Sequence, residues 1–305
     1  MLSKTVYSLV YPETSDVLRE LWQEQPHQMY LSPHLQGQLK IDEKFKNTWL
    51  QWVSSQVKMP EFNYFYPTAG SSEAIRESIS LAKVRNPKVK IHVFNGEYEG
   101  YKAYADAYGI EIVSHERGDY KTEKFQRALN SEDLFYLSNP SSIDGNIWQG
   151  FDEFISILNN SKLKLMLDLC YVGATAKEMN LDLNQPCIHT IFFSLSKVFG
   201  VYYHRIGGVF SREEMPALYG NIWFKNLFSL CFGTKLMENI KIGQLPKKYA
   251  KLQKEICEKE NLSPADVVLL GIKESEDVTD PLYRHKLIRA CLTPKMEQII
   301  YETTS

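Results

Sequence analysis

The chain has 305 residues with 35 basic and 37 acidic side chains, a formal charge of -2, and 44% hydrophobic content. That balance suits a soluble globular enzyme and offers no bulk charge for holding nucleic acid or an anionic membrane surface. The length allows one large domain plus a smaller one. The five scattered cysteines, without CxxC spacing, suit reduced thiols in the cytoplasm better than disulfides or a zinc site.

In chain order, "YFYPTAG" reads as a strand running into "SSEAIRESISLAKV", a serine-capped amphipathic helix. There follow the strand "KIHVF", a helical "EGYKAYADAYG", the strand "IEIVS" and a polar helix near 121–130. Then come "LFYLSN", the helix "FDEFISILNN", and the apolar runs "LKLMLDL", "IHTIFFS" and "GGVFS". Short runs rich in Ile, Leu, Phe and Val, separated by helices, predict an α/β fold with a mainly parallel sheet covered by helices on both faces. Ligands of such sheets bind at the carboxyl ends of the strands.

From about 212 the pattern changes. "REEMPALYGNIWFKNLFSLCFGTKLMENI" reads as a long helical region and "KKYAKLQKEICEKE" as a charged helix with a solvated face. "DVVLLGIKES" and "HKLIRACLTP" read as strands of a smaller α+β domain. The expected division is a large domain over 30–210, with 1–29 and 211–305 forming the small one.

Three features gather chemistry. The turn "AGSSEAI" leaves backbone N–H groups free around Gly70, Ser71 and Ser72, an anion site at a helix start. Asp168 ends the apolar run "LKLMLDL", with Tyr171 three residues on. Lys197 follows the next apolar run, flanked by Ser194, Ser196 and Arg205. Singly, these read as a plain serine cap, a capping aspartate and a surface lysine. Together they supply what pyridoxal phosphate requires: anion ligands, a carboxylate for the ring nitrogen, and an amine for the aldehyde.

In this order the motifs resemble the fold-type I pyridoxal-phosphate enzymes, specifically class I/II aminotransferases related to aspartate aminotransferase. "SLSKVFGVYYHRIGG" is similar to that family's S-x-[SA]-K-x-[FY]-G-…-R-x-G signature. The resemblance implies Lys197 as the Schiff-base lysine, Ser194 and Arg205 as phosphate ligands, and Gly70, Ser71 and Ser72 as the phosphate loop. It implies Asp168 on the pyridine nitrogen, Tyr171 on the ring hydroxyl, and Tyr98 of "NGEYEGY" stacked on the ring. Arg289 of "IRACLTP" is implied as the clamp for the substrate carboxylate. Tyr30 of "QMYLSPHLQG" is implied to reach a neighbouring subunit's phosphate in a homodimer.

Where the family reads N-P-x-N-P-T-G, this chain has "SNPSSIDG". In register, Ser142 replaces the asparagine that meets the ring hydroxyl and Asp144 replaces the threonine, with Asn139 as an alternative contact. The implied activity is a cytoplasmic aminotransferase acting on small amino-acid and oxo-acid substrates, with no metal, nucleic-acid or membrane partner. A lyase, cyclase or oxidase on the same fold is the alternative that the "SNPSSIDG" departure supports.

Overall fold

Five apolar runs become the inner strands of a seven-stranded sheet because both of their faces can be buried. The structure, a computed structural model, describes residues 2–24 and 40–302. In chain order the strands are β1 (Val57–Lys58), β2 (Tyr64–Thr68), β3 (Lys90–Phe94), β4 (Glu111–His115), β5 (Leu134–Ser138), β6 (Lys164–Asp168), β7 (Leu181–Asp182), β8 (Ile188–Ser194), β9 (Gly207–Ser211), β10 (Ser263–Pro264), β11 (Leu270–Glu274) and β12 (Leu287–Cys291). The main sheet has the order β2-β9-β8-β6-β5-β3-β4. Only β9 runs antiparallel to its neighbours, β2 and β8; the other pairings are parallel. The expected α/β architecture is the one that forms.

Alternate residues serve opposite faces, as the two-residue strand period requires. Tyr136, Met166 and Phe192 belong to one buried cluster, with Ile75 and Ile79 of helix Ser71–Arg85 and Tyr101 of helix Glu99–Ala107. Their neighbours Phe135, Leu165 and Phe193 belong to the other, with Phe154 and Leu158 of helix Phe151–Ser161. Helix Ile41–Val53, for which the sequence reading made no provision, also covers this second face. Its Trp49 ring stacks on Phe193 with centroids 4.2 Å apart.

The second sheet is antiparallel, in the order β10-β11-β12, and helix Gln244–Lys259 packs on β10 and β11. Residues near the chain start reach it: Ser3 bridges Cys291 of β12, with hydrogen bonds in both directions. The helical region expected after 212 is broken into Pro216–Leu218, Tyr219–Trp223 and Leu227–Asn239. Asn226 caps the last piece by accepting from Ser229 N–H at 3.1 Å, which explains the break. Among the described residues no helix is long and apolar enough to cross a membrane.

Candidate cofactor and active site

The carboxyl ends of β2, β6 and β8 and the start of β9 bring most of the expected residues to one edge of the sheet. Helix Ser71–Arg85 begins directly after β2, so its first-turn N–H groups, which have no intrahelical acceptor, sit at that edge. Gly70 precedes it with φ +79°. A Cβ there would lie 3.0 Å from Arg205 Nη2 and 3.5 Å from Ser194 Oγ. Gly70, Ser194 and Arg205, far apart in the chain, therefore come together, as ligands of one phosphate must. Arg205 is held by donating to Ala69 O at 2.8 Å. Ser72 Oγ lies 3.3 Å from Tyr98 OH, linking the loop to the expected stacking ring. The Tyr98 ring crosses Gly100 so closely that a Cβ there would meet it at 2.3 Å. Burial pushes the Tyr98 hydroxyl up to about 12, so it remains a proton donor.

Asp168 ends β6 and is 3% exposed. It accepts from Cys170 N–H at 3.0 Å, and among the described residues no cation pairs with it. Burial is the main cause that pushes its carboxyl up to about 7, and the nearby Glu97 adds to it. A carboxylate in this position gains a partner when a protonated ring nitrogen arrives. Tyr171 is buried three residues further on, and burial raises its hydroxyl as well.

Lys197 lies in the short helix Ser196–Phe199, which β8 feeds and Gly200 ends with φ +74°. A Cβ on Gly200 would fall 1.9 Å from Leu9 O, so only glycine allows the chain start to pass there. The Lys197 amine donates to Val6 O and lies 5.7 Å from the centre of the Tyr202 ring. Burial lowers its proton affinity, and Arg289 and Arg205 contribute to the same end. Among the described residues it has no carboxylate partner, so its neutral, nucleophilic form is more accessible than that of an exposed lysine.

Arg289 on β12 is 4% exposed and donates to Ser142 O and, at 3.4 Å, to Lys4 O. Its Nε is buried without a partner, and no carboxylate pairs with it among the described residues. The Ser142 hydroxyl turns to the Glu97 carboxylate, 2.6 Å away. Asn139 follows β5, and its N–H donates to Asp168 O at 3.1 Å. Its Oδ1 accepts from Trp148 N–H at 3.2 Å, while its Nδ2 is buried without a partner. Asp144 pairs with Arg117 at 2.5 Å. Tyr30 lies outside the described residues.

Sequence reading had no signal for Glu97. A glutamate between two candidate motifs resembles any loop residue until its burial is known. The residues present fit pyridoxal phosphate: anion ligands gathered at Gly70 and, among the described residues, a carboxylate and an amine without ion-pair partners and an amide nitrogen at Asn139 without a hydrogen-bond partner.

A model of the family "aminotransferase class I and II" matches residues 11–228. No curated protein matches the chain in sequence. Among solved structures, the histidinol-phosphate aminotransferase of Clostridium acetobutylicum is similar at 14% identity and TM-score 0.70, covering 98% of this chain and 97% of that one. A probable N-succinyldiaminopimelate aminotransferase of Thermus thermophilus is similar at 16% identity and TM-score 0.70, covering 98% and 92%. A pyridoxal-phosphate-bound C-S lyase of Staphylococcus hominis is similar at 13% identity and TM-score 0.67, covering 96% and 85%. At these identities the likeness is one of fold.

Proposed function

Because the chain belongs to the class I and II aminotransferase family, whose cofactor is pyridoxal phosphate, we propose that it transfers an amino group between an amino acid and a 2-oxo acid, with Lys197 as the cofactor's covalent attachment point. The observation that carries this reading is a pair of groups without ion-pair partners among the described residues, at the ends of the adjacent strands β6 and β8: the Asp168 carboxylate and the Lys197 amine.

When bound, pyridoxal phosphate supplies an aldehyde that condenses with amines and a ring that withdraws electrons from the substrate's α-carbon. Gly70, Ser71, Ser72, Ser194 and Arg205 hold the phosphate through N–H, hydroxyl and guanidinium donors. Asp168 keeps a proton on the ring nitrogen, Tyr98 covers the ring, and Tyr171 with Asn139 donates to the ring oxygen. Ser142 would reach that oxygen only by giving up its bond to Glu97, whereas the Asn139 Nδ2 has no bond to give up. Lys197, once exchanged by the substrate amine, carries the α-proton on Nζ. Arg289 takes the substrate carboxylate with a two-pronged donor set and orients the Cα–H bond.

The division into a cofactor domain over 30–210 and a small domain of 1–29 with 211–305 is supported by the Ser3–Cys291 bridge and by the second sheet. A homodimer is supported by the exposure of Tyr203, Trp223 and Phe224 beside the Lys197 loop and the helices after it. Five free cysteines support a reducing, cytoplasmic setting.

A second reading, a lyase, cyclase or oxidase of an amino acid, is favoured by Ser142 and Asp144, which are engaged by Glu97 and Arg117 where the family pattern has asparagine and threonine. Single-turnover mixing with candidate amino acids separates the two. Transfer gives one equivalent of oxo acid per site and keeps the amino group on the protein until a second oxo acid is added. Ammonia released continuously without an acceptor overturns transfer and supports the second reading.

A further inference from the structure

Glu97 is a buried carboxylate that the proposed reaction leaves unused. It is 6% exposed and lies between β3 and Tyr98. It accepts from Ser138 Oγ at 2.7 Å, Ser142 Oγ at 2.6 Å, Ser138 N–H at 3.2 Å and Tyr98 N–H at 3.3 Å. Ser142 N–H closes the loop by donating to Ser138 Oγ at 2.7 Å. Among the described residues no cation pairs with this carboxylate. The nearby Arg284 donates instead to the main-chain oxygens of Gly96 and Glu97, at 3.0 and 2.7 Å, and to the Glu99 carboxylate. Burying an acid without a counterion is costly, and an apolar side chain would fill the space more cheaply.

The segment it grips, 138–142, touches three parts of the site. Ser138 is the β-sheet partner of Asp168. Asn139 carries the unpartnered Nδ2. Ser142 O accepts from the guanidinium of Arg289. Four donors converge on Glu97 from both ends of this segment and from Tyr98, so the acid fixes the turn as a unit. The serine that departs from the family pattern has this glutamate as its partner.

We propose that Glu97 is a positioning residue: its carboxylate clamps Ser138 and Ser142 so that the turn beside Asp168 is fixed and Arg289, bonded to Ser142 O, is held ready for the substrate carboxylate. The inference rests on the reading of this edge as a pyridoxal-phosphate site.

The test uses the full chain with Glu97→Gln, Glu97→Ala, Ser142→Ala and the Glu97→Ala/Ser142→Ala double variant. Borohydride trapping of pyridoxal phosphate on Lys197 is measured first. Absence of trapping in the unaltered protein overturns the site reading, and this inference with it. With trapping intact, Glu97→Ala is expected to raise the half-saturating amino-acid concentration roughly tenfold or more, with a smaller change in maximal rate. Glu97→Gln, which keeps an acceptor and the side-chain shape, restores it to within about threefold. Ser142→Ala has an effect of about threefold, and the double variant is no worse than Glu97→Ala. In the cofactor-free protein, hydrogen exchange over 138–145 quickens in Glu97→Ala, while exchange in the β8 and β9 amides is unchanged. Unaltered half-saturation and unaltered exchange in both Glu97→Ala and Ser142→Ala overturn the proposal while leaving the site reading in place.

Discussion

The amine of Lys197 donates to the main-chain oxygen of Val6, 191 residues earlier in the chain. That contact holds the lysine in a partly buried position where no carboxylate stabilises its charge, and burial lowers its proton affinity. A carbonyl partner accepts from the neutral amine as well as from the ammonium, so the contact does not prevent nucleophilic attack.

Lys197 is therefore expected to react with pyridoxal phosphate at neutral pH ahead of the exposed lysines. After borohydride reduction, peptide mass analysis should find the adduct on Lys197, and Lys197→Ala should remove it. Labelling spread evenly over surface lysines would contradict the assignment.

Asp168 gives a pH signature. Its folded value near 7 lies above the usual carboxylate value, so between about pH 4 and 7 the folded state binds more protons than the unfolded state. Asp168 therefore contributes stability to the cofactor-free protein that is lost as pH rises through that window, by at most about 4 kcal/mol, against an opposite contribution from His115, whose imidazole burial pushes down to about 4. Asp168→Asn should remove that contribution, read as the difference in urea-unfolding stability between the variant and the unaltered protein from about pH 5 to 8, and should weaken cofactor retention by at least about tenfold. An unchanged slope in Asp168→Asn would mean that another group titrates.

Gly100→Ala tests the Tyr98 ring. The added Cβ meets the ring at 2.3 Å, so the ring has to move, while alanine is favoured over glycine within helix Glu99–Ala107 by about 1 kcal/mol, so the ring's displacement rather than stability is the readout. The circular dichroism of the bound cofactor should weaken with it. Gly109→Ala is a control for a glycine at which a Cβ meets no atom within 4 Å, and its φ of +63° gives it a backbone cost of its own.

Arg289→Ala should leave trapping on Lys197 intact and raise half-saturation for amino acids by roughly a hundredfold, with Arg289→Lys intermediate because one prong is lost. Equal losses in cofactor retention and substrate binding would assign the arginine to the fold alone.

The strands were legible because their apolar runs are nearly continuous, and Asp168 and Lys197 stood out as charges ending such runs. The phosphate loop was legible because glycine and serine at a helix start have a local meaning. Glu97 was not legible: its burial depends on Ser138 and Ser142, distant in the chain, and no local pattern encodes that meeting. The orphaned amide nitrogen of Asn139 and the occupied hydroxyl of Ser142 likewise depend on contacts that no local pattern encodes. The broken helical stretch after 212 was read as continuous because its apolar content hid the cap at Asn226.

Val6 reaches Lys197, Lys4 reaches Arg289, and Tyr7 N–H donates at 3.2 Å to the Sγ of Cys291, 284 positions further on. Lys197 gains its acceptor only when the first residues pack against a segment 191 positions further on, and Arg289 gains Lys4 O across 285 positions, so the settings of both groups depend on contacts of long sequence separation, which form slowly.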